Sequence, residues 1–223
     1  MSARVCERMV RSISIYNLGR LASVWLSAAL LLVACGDPVP EEKIADLGPE
    51  APGVPVSALH RPGQPCVLCH AGKWPGDAEP TLALGGTVYV YNPNFRCDND
   101  ETVAAASVPA ANVEVHVQDA AGRRITMLTN AAGNFMLKSS EGEPTYPFWT
   151  KIRYKDPSGV MPPVDVAMNT HVFRDGSCAT CHQNTLGAES AGPIHLVKDQ
   201  SSELALTLFP NATPPACPPA PAQ

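Results

Sequence analysis

No long hydrophobic run and no cluster of basic residues occurs in this 223-residue chain. The longest uncharged apolar run, LASVWLSAALLLVA, has 14 residues, whereas a helix that crosses a bilayer needs roughly 20. The chain carries 16 Lys and Arg against 21 Asp and Glu, a formal net charge of −5. Without a basic patch, the sequence predicts no nucleic-acid partner. It also has no long amphipathic period of the kind that a helical domain shows.

The N-terminal segment has the pattern of a secretory signal. Four arginines precede the apolar run, which ends in small side chains and is followed at once by two prolines. Such a run after basic residues is typical of a signal peptide and not of a membrane span. The residues LVAC at 32–35 resemble the lipobox of bacterial lipoproteins, in which the cysteine is acylated and the chain is cut before it. The resemblance implies a signal peptide over residues 1–34 and a lipid anchor on Cys35; an ordinary signal with a chance cysteine is the alternative.

Cleavage at this point leaves 189 residues and lowers the net charge from −5 to −8, because the lost segment carries four arginines and one glutamate. An acylated cysteine with several chains anchors a protein durably. Gly36, rather than Asp, follows the cysteine, which in the enteric sorting pattern resembles an outer-membrane address. We therefore expect a lipid-anchored protein of the bacterial cell envelope, with the outer membrane favoured and a periplasmic or surface face.

Proline-rich segments lie at both ends of the mature chain. Residues 35–62 are acidic, rich in Pro, Gly and Ala, and have no sustained apolar period, so we expect a flexible tether. Residues 211–223 form a Pro-rich tail that cannot be a helix or a central strand. Both termini are expected to be disordered.

Strand character is confined to the middle of the chain and to a short stretch near its end. Val113, Val115 and Val117 alternate with polar residues, which predicts a half-buried strand. TLALGGTVYVYN precedes it, while RRITMLT, FMLKS and PFWTKIRYKD follow with Gly-containing or Asn-containing turns between them. Residues 201–210 contain ELALTLF, a predicted final strand. This spacing predicts an all-β fold, an antiparallel β-sandwich with irregular flanks.

Residues 81–158 are similar to the carboxypeptidase regulatory-like, or prealbumin-like, β-sandwich. The similarity covers roughly residues 84–156 and depends on GTV at 86–88, on NVEV at 112–115 and above all on TNAAGNF at 129–135. Domains of this family are scaffolds or binding modules and not peptidases. The chain has no nucleophile with a base and no conventional zinc hydrolase motif. The insertion PNFRCDNDETVAAASVPA departs from the minimal pattern of the family.

The sequence contains two Cys-x-x-Cys-His frames, CVLCH at 66–70 and CATCH at 178–182, within predicted segments 63–80 and 159–200. Each resembles the attachment motif of c-type cytochromes, in which two thiols bond the porphyrin vinyl groups and the adjacent histidine ligates iron. The resemblance implies two covalent haems. Their thioether residues would be Cys66, Cys69, Cys178 and Cys181, with His70 and His182 as proximal ligands.

Other uses of the same frames are open. The cysteine pairs could form disulfides or together hold zinc, because CxxC with a second CxxC is also a metal-ligand pattern. Neither use explains the two following histidines. A thioredoxin-like redox pair would need a βαβ context that the sequence does not have.

Several residues are candidates for the distal ligands. His60 and His171 each lie a little upstream of a frame, and one hypothesis is a crossed arrangement in which His60 serves the second iron and His171 the first. The competing candidates are His195, Met161 and Met168. A second imidazole leaves a lower potential, whereas a methionine sulfur raises it. His116, on the polar face of a strand, is expected to be simply exposed.

Four further residues complete the predictions. Cys97 and Cys217 could pair in an oxidising envelope and so pin the tail. Trp74 and Trp149 are both candidates for contact with a haem; the alternative for each is ordinary packing in the core, which is favoured more for Trp149 than for Trp74.

The function expected from these features is electron transfer by an envelope-anchored dihaem lipoprotein with redox protein partners, an electron carrier more than an enzyme. A second class is a surface or periplasmic binding or structural lipoprotein without haem, whose frames hold zinc or disulfides. A third is a haem sensor or enzyme with an open axial position.

Overall fold

The computed structural model describes residues 38–50, 53–91, 94–96, 102–104, 108–183 and 190–197. The chain divides into two units, 1–43 and 44–223. The first described element is a short helix, α1 (Pro38–Asp46). This helix lies in the segment that was predicted to be a flexible tether. No helix within the described ranges is long and apolar enough to cross a membrane.

Strands make up most of the regular structure of the described part, so the predicted all-β class is confirmed. The strands are β1 (Leu82–Tyr91), β2 (Asn94–Arg96), β3 (Thr102–Ala104), β4 (Glu114–Asp119), β5 (Arg124–Leu128), β6 (Asn134–Lys138), β7 (Phe148–Tyr154), β8 (Val164–Ala167) and β9 (Ile194–Val197). Helix α2 (Cys66–Cys69) and the 3₁₀ turns Ser139–Glu141 and Cys178–Thr180 complete the elements. The strand predicted within residues 201–210 lies outside the described residues.

The strands form two main sheets. One has the order β6-β1-β9 and the other β5-β4-β7-β8, while β2 and β3 pair as a hairpin within the predicted insertion. Strands β1 and β9 run parallel, and the other pairings between the strands named above are antiparallel. The wholly antiparallel arrangement that we expected is therefore interrupted at β9. A parallel neighbour needs a long crossover connection. Here the chain between β1 and β9 includes strands β2 to β8, and its last part, after β8, contains the second Cys-x-x-Cys-His frame.

Both sheets contribute to one hydrophobic core. The register of the four-stranded sheet places Val115 opposite Met127 on one side and Ile152 on the other. Val113, Val115 and Val117 are buried, as their alternation predicts, and burying a valine side chain stabilises a fold by about 1.5–3 kcal/mol. The three-stranded sheet adds further buried residues to the same cluster, namely Leu84, Val88, Val90, Tyr91, Phe135, Leu137 and Leu196. The core thus fixes β1 relative to the other sheet.

The turn before β6 is built by the TNAAGNF residues. The Asn130 side-chain oxygen accepts hydrogen bonds from the backbone N–H groups of Ala132 and Asn134. Gly133 has φ 73°, and a Cβ on it would lie 2.3 Å from the carbonyl oxygen of Val88. Only glycine meets both conditions without strain.

Candidate functional site

Each of the two Cys-x-x-Cys-His frames forms a single helical turn. The first forms the single helical turn of α2, and the backbone N–H of His70 donates to the carbonyl of Cys66 at 3.0 Å. The second forms a 3₁₀ turn that begins at Cys178, and the N–H of His182 donates to the carbonyl of Cys178 at 2.9 Å. One turn therefore presents two thiols and an imidazole in each frame.

The histidines of both frames are oriented by backbone carbonyls. Nδ1 of His70 donates to the carbonyl of Pro80 at 2.9 Å, and Nδ1 of His182 donates to the carbonyl of Gly192 at 2.8 Å, in each case ten residues further along the chain. A carbonyl oxygen can only accept, so Nδ1 carries the proton and Nε2 keeps its lone pair. This is the usual arrangement of a histidine that ligates a metal through Nε2.

Strand β1 holds both frames through two adjacent glycines. A Cβ placed on Gly85 would lie 3.0 Å from the Cβ of Cys66, and one placed on Gly86 would lie 2.9 Å from the Cβ of Cys178. Successive side chains of a strand point to opposite faces. The first cysteine of each frame therefore packs on its own face of β1, at positions where any side chain would collide.

Backbone hydrogen bonds fasten the frames to the same strand. The N–H of Leu82 donates to the carbonyl of His70, and the N–H of Gly85 donates to the carbonyl of Gly176, both at 2.9 Å. Ser177 also forms an isolated parallel β-bridge with Gly85. These bonds satisfy backbone donors of β1, so the segments that carry the two frames are both fixed to this strand.

The four frame cysteines are free thiols in different environments. Burial raises the pKa of Cys66 and of Cys69. Burial, followed by the charges of Cys66 and Asp175, raises the pKa of Cys178 to about 12. Cys181 is exposed. Because the thiolate is the reactive form and the metal ligand, the folded chain suppresses the reactivity of Cys178 most.

A single four-cysteine zinc site would require the frames to share one coordination sphere. Within the described part of the chain, no three His, Cys, Asp or Glu side chains converge closely enough to hold a metal ion. Cys66 and Cys178 instead pack at Gly85 and Gly86, and successive positions of a strand point to opposite faces. This placement favours independent use of the two frames.

His60 lies next to the histidine of the first frame, His70. Its ring centre is 5.9 Å from that of His70, with an angle of 37° between the ring planes. Nδ1 of His60 donates to the carbonyl of Ser57, which leaves its Nε2 with a lone pair as well. The geometry therefore does not support the crossed arrangement for His60.

His171 has a different environment. Its ring centre lies 4.2 Å from that of Trp149 in an edge-on contact and 5.8 Å from that of Phe173. Trp149 is 46% exposed and Trp74 is 71% exposed, so the expectation that Trp149 packs in the core is wrong. Its position on the outward face of β7 explains the difference, because Phe148 beside it takes the buried side.

A cavity of about 170 Å³ lies beside the second frame. His182 and Cys178 line it together with two of the distal candidates, His195 and Met168. Nδ1 of His195 donates to the carbonyl of Pro193 at 2.8 Å, so this ring too keeps Nε2 with a lone pair. Apolar residues of both sheets form other parts of the wall, namely Val115, Phe135, Ile152, Val166 and Ile194.

Met161 and His116 both make contacts within the β domain. Met161 packs against the hydrophobic core. Both ring nitrogens of His116 are engaged, Nδ1 by Thr126 and Nε2 by Glu114, and the residue is only partly exposed. The predictions for Cys35, Cys97 and Cys217 concern positions outside the described residues.

Sequence reasoning missed the polar residues that support the first frame. The Asn134 side chain donates to the carbonyl of His60, and Thr87 donates to Asn134. In the sequence, Thr87 and Asn134 belong to the motifs that resemble the β-domain family, and these motifs give no sign of a contact with His60. A buried polar residue at a strand end could have suggested a docking role, but its partner lies more than 70 positions away in the chain.

No family model matches the chain, and neither the curated proteins nor the solved structures include a significant match to it.

Proposed function

We propose that the chain is a dihaem c-type electron-transfer lipoprotein of the bacterial cell envelope. The observation that carries the proposal is the common geometry of the two frames. In both, one turn presents the thiols, and the histidine is oriented by a carbonyl ten residues further on. A disulfide or a lone thiol pair would not need an oriented imidazole in either frame.

The residues present fit a covalently attached haem at each frame. Gly85 and Gly86 keep side-chain volume away from the first cysteine of each frame. The cavity beside His182 has a largely apolar wall. The hydroxyl of Ser177, next to Cys178, is 4% exposed and has no hydrogen-bond partner among the described residues. A buried hydroxyl without a partner is costly, and a bound polar group would relieve that cost.

Haem supplies one-electron transfer when it is bound, and the residues of the chain supply its setting. Cys66, Cys69, Cys178 and Cys181 would hold it, with His70 and His182 as the proximal ligands. Apolar residues such as Phe135 and Ile152 would keep water from the second site, which helps to set its potential. Redox proteins are the expected partners, and Cys35 would provide the membrane anchor, with the outer membrane favoured.

The β domain would serve as the scaffold. We propose that its two sheets form a prealbumin-like sandwich whose first strand, β1, holds both frames. The shared hydrophobic core and the Asn130 to Asn134 turn support this assignment. A rigid scaffold fixes the spacing of the two redox groups better than a loop would.

The deciding experiment is the intact mass of denatured protein made in a bacterial periplasm with the cytochrome c maturation machinery, together with a pyridine haemochrome spectrum. We expect the mass of two covalent haems, with one lost in Cys69→Ala and one in Cys181→Ala. Cys97→Ala is the control and should keep both. An apo mass with zinc retained under native conditions would instead support the binding or structural class.

The cavity beside His182 supports a second candidate function, that of a haem sensor or enzyme with an open axial position, because it leaves space next to this histidine. Carbon monoxide added to the reduced protein distinguishes the two functions. Closed coordination leaves the spectrum unchanged, whereas an open position gives a carbonyl complex at once.

A further inference from the structure

We infer that His60 is the second axial ligand of the iron at the first frame, and that a buried polar network of the β domain holds it in place. The inference rests on the proposed function, because it concerns the haem bound by Cys66 and Cys69. In the crossed arrangement His60 would ligate the iron at the second frame; here it ligates the iron at the first frame, which it precedes in the sequence.

The separation of the two rings fits this role. A metal–imidazole bond is about 2 Å long, and each ring centre lies about 1 Å behind its nitrogen, so two imidazoles on opposite sides of one metal have centres about 6 Å apart. The ring centres of His60 and His70 are 5.9 Å apart. Both rings donate from Nδ1 to backbone carbonyls, which leaves Nε2 of each as the nitrogen that can bind iron.

Two asparagines of the β domain fasten the segment that carries His60. Nδ2 of Asn134 donates to the carbonyl of His60 at 3.0 Å and to that of Ala58 at 3.2 Å. Nδ2 of Asn130 also donates to the carbonyl of Ala58, at 2.7 Å. The turn before β6 thus has a second role besides connecting β5 of one sheet to β6 of the other.

Thr87 completes this network from β1. Its hydroxyl donates to Oδ1 of Asn134 at 2.7 Å and accepts from the N–H of Gly63, also at 2.7 Å. Thr87 is 4% exposed and Asn134 is 5% exposed. Buried polar groups are costly when a partner is removed, so the segment on either side of His60 is bound to the β domain and is not a free tether.

Arg61, the residue after His60, also holds this segment in place. Its guanidinium donates to the carbonyl of Gly48 at 2.7 Å and to the side chain of Gln64 at 2.8 Å, and it pairs with Glu50 at 3.5 Å. The residue has φ 48°, a conformation that non-glycine side chains adopt rarely. The backbone next to His60 is therefore held in one particular conformation.

The first test replaces the imidazole in the dihaem protein. His60→Gly should convert one of the two ferric haems from low spin to high spin, as read by electron paramagnetic resonance, and added imidazole should restore low spin. His116→Gly removes an imidazole whose nitrogens are both engaged elsewhere, so it should change neither haem. If two haems are attached and His60→Gly leaves both low-spin, the inference is wrong; if no haem is attached, the proposed function fails first.

Proteins that carry only one haem show whether His60 ligates the iron at the first frame or, as in the crossed arrangement, the iron at the second. In protein that lacks the second haem through Cys178→Ala and Cys181→Ala, His60→Gly should convert all remaining haem to high spin. In protein that lacks the first haem through Cys66→Ala and Cys69→Ala, it should convert none. The reverse pattern would establish crossed ligation and overturn the inference.

The positioning role of Thr87 has a matched pair of variants. Thr87→Val keeps the shape but removes the hydroxyl, and it should raise the high-spin fraction at the first haem only. Thr87→Ser keeps the hydroxyl and should restore the low-spin signal. A purely structural role predicts lower stability with the spin state unchanged in Thr87→Val, and that result would remove Thr87 from the network that positions His60.

Discussion

Cys66 and Cys178 pack at neighbouring positions of one strand, against Gly85 and Gly86. A Cβ on Gly85 would lie 3.0 Å from the Cβ of Cys66, and a Cβ on Gly86 would lie 2.9 Å from the Cβ of Cys178. Because adjacent Cα atoms are about 3.8 Å apart, the Cβ atoms of the two cysteines are within about 13 Å of each other. Two frames that are far apart in the sequence are thus brought to one short stretch of β1. In the proposed function, this strand sets the distance between the two redox groups.

Side-chain volume at these glycines should disturb the frames. A methyl group on Gly86 would lie 2.9 Å from the Cβ of Cys178 and 2.8 Å from the ring of Phe135. We expect Gly86→Ala to lower the free energy of unfolding by about 1–3 kcal/mol, as overpacking does, measured by urea titration. Gly159→Asn is the control, because nothing lies within 4 Å of that position and Asn tolerates its positive φ. Equal stability of the Gly86→Ala and Gly159→Asn proteins would contradict the close approach.

Thiol reactivity should follow burial in the haem-free protein. The pKa of Cys178 is raised to about 12, with burial as the main cause, so the reactive thiolate is scarce until the pH approaches that value. We expect iodoacetamide at neutral pH to label Cys181, which is exposed, well before Cys178, as read by peptide mass spectrometry. In urea the two rates should become similar. Equal rates in the folded protein would show that Cys178 is accessible.

Asp119 should contribute to stability except in acid. Its carboxylate accepts from the N–H of Thr145 and of Arg123, and these hydrogen bonds, that of Thr145 first, lower its pKa. A lowered pKa stabilises the fold above the ordinary aspartate value of about 3.9, and this stability is lost as the pH falls through the folded value. Asp119→Asn should therefore lower the Tm at neutral pH and weaken its acid dependence.

Asp165→Asn is the comparison for that experiment. Asp165 pairs with Arg153 and Lys151 on a partly exposed surface, where ion pairs contribute little. The Tm of the Asp165→Asn protein should stay close to that of the unaltered protein. A Tm profile of Asp119→Asn that matches the Asp165→Asn profile would count against the role of the Asp119 hydrogen bonds.

The second frame has two distal candidates in its cavity, His195 and Met168. The carbonyl of Pro193 orients His195 with Nε2 left to ligate, so we expect His195→Gly to turn the second haem high-spin and Met168→Leu to leave it unchanged. Ferric electron paramagnetic resonance of the single-haem protein with Cys66→Ala and Cys69→Ala reads this directly. A lower potential in Met168→Leu would point to the methionine instead, because methionine raises the potential.

Local sequence patterns were sufficient to predict the fold class and to locate the two Cys-x-x-Cys-His frames. The alternation at Val113, Val115 and Val117 depends only on the two-residue period of a strand, and the glycine of the turn before β6 depends on a local φ. The spacing of two cysteines and a histidine within one turn is also local. Each of these features can be read from a few adjacent residues.

Contacts between distant segments required the three-dimensional arrangement. The sequence suggested that His60 and His171 were equivalent, but Asn134 and Thr87 bind the first segment, whereas His171 lies against Trp149. Likewise nothing in the sequence indicated that Gly85 and Gly86 of β1 contact the first cysteine of each frame. Such relationships depend on which chain segments pack together, and neither periodicity nor spacing carries that information.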